Sequence, residues 1–106
     1  MSTTISAQTM VVRAPNQVSS NLAGEEVILH LDSGMYYGLD PVGARIWALL
    51  EQPCTVESIC ATICAEFSVT PASCATDLQQ FLSQLAESRL IEECHAPAAK
   101  MAPVTR

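Results

Sequence analysis

Basic residues are scarce in this chain: five Lys and Arg stand against 11 Asp and Glu, for a net charge of −6. Affinity for nucleic acid comes largely from Lys and Arg neutralising phosphates, so such a chain is a poor partner for DNA or RNA. Long apolar runs are missing too. No stretch of about 18 apolar residues occurs, so no membrane-spanning helix and no membrane partner are expected. The opening Met1-Ser2-Thr3-Thr4-Ile5-Ser6-Ala7-Gln8 has no basic region and no apolar region of signal-peptide type, so the expected location is the cytoplasm. The four glycines, at 24, 34, 38 and 43, are scattered at turns rather than gathered into a phosphate-binding loop. The two histidines, His30 and His95, show no metal-ligand spacing.

Cysteine is the exception to this scarcity. Cys54, Cys60, Cys64, Cys74 and Cys94 make an odd number, and without a secretion signal a disulfide framework is not expected. Cys60 and Cys64 lie four apart on one helix face, but a zinc site would need two further ligands. Cys60, Cys64 and Cys74 fall on apolar helix faces, where cysteine behaves as a small hydrophobe. They are read as structural thiols, with no metal and no cofactor. An enzyme is not expected either. His30 is the one histidine inside the core region, and strand alternation places it on the solvated side. The carboxylates of Glu25, Glu26, Glu92 and Glu93 sit at segment ends, where they serve solubility.

What is present is enough for one packed domain: 106 residues, 49% of them hydrophobic. Residues 1–9 and 95–106 read as flexible tails around a domain over 10–94. Met10 to Arg13 reads as a short strand stopped by Pro15, and residues 16–24 as a polar connection. Residues 26–31 read as a second strand with Val27, Leu29 and Leu31 on the buried face. Asp32-Ser33-Gly34 is a turn, and Met35 to Leu39 returns as the hairpin partner. On that third strand Tyr37 and Leu39 are assigned inward and Tyr36 to the other face.

Three helices follow. Asp40-Pro41 starts the first with a cap and a tolerated proline, and its buried stripe is Val42, Ile46, Leu49 and Leu50. Thr55 caps the second, whose apolar residues Val56, Ile59, Cys60, Ile63, Cys64 and Phe67 follow helical spacing. Thr70-Pro71 starts the third, which carries Cys74, Leu78, Phe81, Leu82 and Leu85 on one face. The fold class is therefore α+β: a winged helix-turn-helix-like unit, a three-stranded antiparallel sheet followed by three helices, in the order β-β-β-α-α-α. A helix-turn-helix raises DNA binding, and a small winged-helix regulator is one alternative. The outward face of the third helix (Ala72, Ser73, Ala75, Thr76, Gln79, Gln80, Ser83, Gln84, Glu87) has no basic residue before Arg89, which argues against it.

The stretch "VILHLDSGMYYGLDPVGARIWALL", followed by "TVESICATICAEFSVTPASCATDLQQFLSQLAESRLI", resembles the PqqD-like family, the RiPP recognition elements. The shared pattern is an apolar strand, a Gly turn, an aromatic pair, Leu-Asp-x-x-Gly and Ile-Trp-x-Leu-Leu, then a Thr-Val-x-x-Ile helix and a final Leu-Ile. It covers roughly residues 10–93. Two positions depart from it. Asp32-Ser33-Gly34 replaces the Pro-Glu-Gly of proteins that serve pyrroloquinoline quinone synthesis, which leaves that peptide-chaperone role as an alternative. Arg89 replaces a glycine before the last Leu-Ile, which puts the end of the third helix in question. The Tyr-Tyr-Gly-Leu and Ile-Trp pattern looks most like the stand-alone proteins of lasso peptide clusters.

The resemblance implies a non-catalytic module that binds the leader segment of a ribosomally made precursor peptide. The leader would add as a strand to the third strand, against the third helix, and be delivered to a cysteine-protease-like leader peptidase. Carried over, the peptide-binding candidates are Met35, Tyr36, Tyr37, Gly38 and Leu39 on the strand, with Leu78, Phe81, Leu82 and Leu85 on the helix. An open strand of this kind can also pair with a second copy of the chain, giving a homodimer.

Overall fold

The computed structural model describes residues 5–94; His95 and the 95–106 segment lie outside the described residues. Four strands come first: β1 (Met10–Arg13), β2 (Gln17–Leu22), β3 (Glu25–His30) and β4 (Tyr36–Leu39). Then follow α1 (Pro41–Leu49), β5 (Cys54–Thr55), α2 (Val56–Phe67), α3 (Pro71–Glu87) and β6 (Ile91–Cys94). The α+β class and the helix-turn-helix order stand as expected. The three helices begin where the caps place them: Asp40 Oδ1 accepts from Gly43 N at 2.7 Å, Thr55 Oγ1 from Ser58 N, and Thr70 Oγ1 from Ser73 N.

The strands divide differently from the expectation. The stretch read as a polar connection is β2, which pairs antiparallel with β3 from Gln17↔His30 to Leu22↔Glu25. Ala23 (φ 54) and Gly24 (φ 89) close that hairpin with both central residues left-handed, the two-residue turn that matches strand twist. The sheet of the wing is therefore β2-β3-β4. The first strand belongs to a second sheet, β5-β1-β6, with β1 in the middle.

The buried face of β3 is also the opposite of the one alternation suggested. Ile28 is fully buried and His30 is 5% exposed, whereas Val27 and Leu29 lie on the outer face and Leu31 is exposed. His30 is not a solvated residue. Its Nδ1 accepts from the backbone N–H of Ser33 at 3.2 Å, with Ser33 Oγ also at 3.2 Å, so the ring holds the turn before β4.

The core lies between the inner face of the wing and the helices. Trp47 is at its centre, fully buried, and its Nε1 donates to Ser19 Oγ on β2 at 3.0 Å. The Arg13 guanidinium stacks 4.4 Å over the same ring and donates twice to the Trp47 carbonyl. Ile5 is 2% exposed, and its carbonyl accepts from the Gln79 side chain on α3. Thr9 and Ala7 carbonyls take the N–H groups of Val56 and Glu57. Residues 5–9, read as part of a flexible tail, are thus tied to the start of α2 and to α3. At the far end of α3, Arg89 itself adopts the left-handed conformation (φ 61), and Leu90 N donates to Leu85 O at 2.9 Å. The helix ends in the usual glycine-type motif without the glycine.

Candidate functional site

Strand β4 has β3 on one side and, among the described residues, nothing on the other. Which backbone groups face the open side follows from the register. His30 N donates to Met35 O, so the pairs Ile28↔Tyr37 and Glu26↔Leu39 are the hydrogen-bonded ones. Tyr36 and Gly38 therefore turn their N–H and C=O groups away from β3, to the open edge. Two donors and two acceptors stand there in line.

Beside that edge runs an apolar cleft of about 520 Å³. Its walls are the end of β4 (Gly38, Leu39), the first turns of α1 (Val42, Gly43, Ile46) and one face of α3 (Cys74, Leu78, Phe81). Asp77, Gln80 and Gln84 form its polar rim. Gly43 sets the distance between α1 and α3. A Cβ there would lie 3.2 Å from Asp40 Oδ1 and 3.3 Å from Phe81 Cζ, so glycine lets the Phe81 ring lie against α1. Gly38 is different: a Cβ on it would meet nothing within 4 Å. The domain's own packing does not require a glycine at that position.

The nine residues suggested from sequence fall into three groups. Gly38, Leu39, Leu78 and Phe81 line the cleft. Met35 (54% exposed) precedes β4, and Tyr36 (68% exposed) projects from the outer face of the wing opposite Leu29, away from the cleft. Tyr37 packs half-buried against the core beside Ile28. Leu82 and Leu85 are buried among the core residues and are not part of the cleft wall. Val42, assigned to the core, is instead partly exposed on the cleft wall. Sequence reasoning missed Val42, Gly43 and the polar rim. The near-adjacent glycines 38 and 43 were a usable signal, because a close approach between elements requires one of them.

Below the cleft, Cys60, Cys64 and Cys74 meet with their sulfurs all within 4.8 Å of one another. Burial, reinforced by the neighbouring Cys60 and Cys64 thiols, pushes the Cys74 thiol up to about 12. No helix among the described residues is long and apolar enough to cross a membrane.

An unpaired strand edge alongside an apolar cleft defines a class: small α+β domains able to accept an extended peptide as an added strand. The family can also be stated. The sequence matches the family described as Coenzyme PQQ synthesis protein D (PqqD) over residues 25–91, and the chain belongs to it. No curated protein matches the chain. Among solved structures, it is similar to TbiB1 in complex with the TbiA(beta) leader peptide, at 44% identity and a TM-score of 0.71, over 76% of this chain and 94% of that one. It shares the fold of lasso peptide synthetase B1 complexed with the leader peptide, at 18% identity and a TM-score of 0.70, over 77% and 96% of the two chains.

Proposed function

We infer that this protein binds the leader segment of a precursor peptide in lasso peptide biosynthesis, by adding it as a strand to the open edge of β4. The observation that carries this reading is the unpaired N–H and C=O groups of Tyr36 and Gly38, set beside an apolar cleft. A paired leader satisfies those groups with little demand on sequence, while alternate side chains enter the cleft between Leu39 and Phe81 and supply selectivity. Gly38, which nothing in the domain crowds, gives the leader backbone room to approach. The likeness to TbiB1 at 44% identity supports the same reading.

The domain's role is to hold and present, with the chemistry done by a maturation enzyme; a cysteine-protease-like leader peptidase is the partner the family resemblance points to. The outer face of the wing, where Val18, Leu29 and Tyr36 form an apolar row across three strands, stays uncovered when the cleft is filled. Titrating the purified protein with the separate leader and core halves of a lasso precursor peptide tests the reading. The leader binds with a Kd in the micromolar range or tighter, about −8 kcal/mol or more, and the core half does not. Equal binding of both halves, or of neither, sinks it.

A further inference from the structure

We propose that Cys60, Cys64 and Cys74 form a three-thiolate site for a soft monovalent cation, Cu(I). Cys60 and Cys64 stand one turn apart on α2, and Cys74 reaches them from the first turn of α3. All three sulfurs lie within 4.8 Å of one another. A cation about 2.3 Å from each sulfur, in a flat three-coordinate arrangement, sets the sulfurs roughly 4 Å apart, so small side-chain rotations complete the site. Thiolate ligands select soft ions such as Cu(I).

The number of ligands argues for Cu(I) over Zn(II). No fourth Cys, His, Asp or Glu joins the cluster among the described residues, and structural zinc sites close with four protein ligands. Forming the centre means replacing the proton of a buried thiol by the cation. Cys74 is buried and its sulfur rests against the Cys60 carbonyl at 3.8 Å. Binding replaces three S–H bonds by three Cu–S bonds and releases the three protons to solvent. The copper enters already reduced, so no electron is transferred. The centre ties α2 to α3 beneath the cleft, because two ligands belong to one helix and the third to the other.

The test is an anaerobic titration of the reduced full chain with Cu(I), in competition with a chromophoric Cu(I) chelator. One equivalent binds, an ultraviolet sulfur-to-copper charge-transfer band grows to the same endpoint, and the melting temperature rises. Outer-sphere partners of metal ligands are worth about 10- to 100-fold in affinity, so losing the ligand in Cys64→Ser weakens binding by about 100-fold or more. Cys64 is half-buried, which keeps this variant folded; Cys74→Ser is the more severe companion. The double variant Cys54→Ser/Cys94→Ser, altered on the strands flanking β1, binds copper unchanged. Copper binding that survives Cys64→Ser and Cys74→Ser, or that disappears in the double variant, overturns the site. Tight binding of Zn(II) with no competitive binding of Cu(I) overturns the assignment of the ion.

Discussion

Proline at two adjacent positions of β4 should have opposite consequences. Tyr36 sends its N–H to the open edge, whereas Tyr37 sends its N–H to Ile28 on β3. Tyr36→Pro removes no ladder bond of the domain, and an edge strand tolerates a proline whose missing donor faced outward. Its thermal midpoint should stay within a few degrees of the parent. With leader bound, the same change leaves one leader carbonyl without a partner. An unsatisfied group of this kind costs about 1–3 kcal/mol, roughly 5- to 150-fold in Kd. Tyr36→Ala separates the ring from the N–H, since it deletes the exposed ring and keeps the donor. Tyr37→Pro breaks the β3–β4 ladder and removes a half-buried ring from the core edge. Each kcal/mol lost there lowers the midpoint by roughly 4–8 °C in a domain of this size. Calorimetric titration with the leader, paired with thermal melts, reads both effects. If Tyr36→Pro binds leader as well as Tyr36→Ala does, strand addition at this edge is wrong. If Tyr36→Pro melts as low as Tyr37→Pro, the assignment of the two edges is wrong.

The neighbouring residues of α3 should split in the same way. Phe81→Ala, on the cleft wall, weakens leader binding by at least about 1 kcal/mol, roughly fivefold, whereas Leu82→Ala, fully buried, costs about 2–5 kcal/mol of stability in a denaturant melt. Arg89→Gly relieves a left-handed non-glycine residue and should stabilise the domain by about 1 kcal/mol, seen as a higher urea midpoint with unchanged slope. Cys74 gives a pH dependence of known sign. Its protonated form is the one the fold favours, so its contribution is complete below the ordinary thiol value of 9.0 and declines as pH rises from there towards about 12. Urea midpoints below and above pH 9.0 should show the decline, and Cys74→Ala should show less of it.

The helices were legible because two signals agreed at each of them: a capping Asp or Thr at the start, and apolar residues at helical spacing behind it. The wing was harder. Its two faces both carry apolar residues, with Val27 and Leu29 on one and Ile28 on the other, so alternation did not decide which was buried. His30 decided it, by finding Ser33 and Asn16 as partners, and that depends on a turn the alternation pattern cannot describe. Strand β2 is rich in Ser, Asn and Gln and pairs because Ala23-Gly24 closes the hairpin, not because its residues favour strands. The site was half legible. The open edge was readable as an aromatic strand followed by a glycine, but the cleft was not. Leu78 and Leu82 are both buried, and only Leu78 borders the cleft, a difference that depends on where α1 packs against α3 at the Gly43–Phe81 contact.

The central strand β1 has a consequence for architecture. It pairs with β6 from Met10↔Cys94 to Arg13↔Ile91, so the first and last strands of the domain lie side by side in one sheet. The β4 edge belongs to the other sheet. A second polypeptide joined at either end, or one into which the whole domain is inserted, would attach through that one sheet and leave the recognition edge unobstructed. The fold is built like a pendant on a single clasp, and that makes it suited to being carried as an appendage by a larger enzyme as readily as to acting alone.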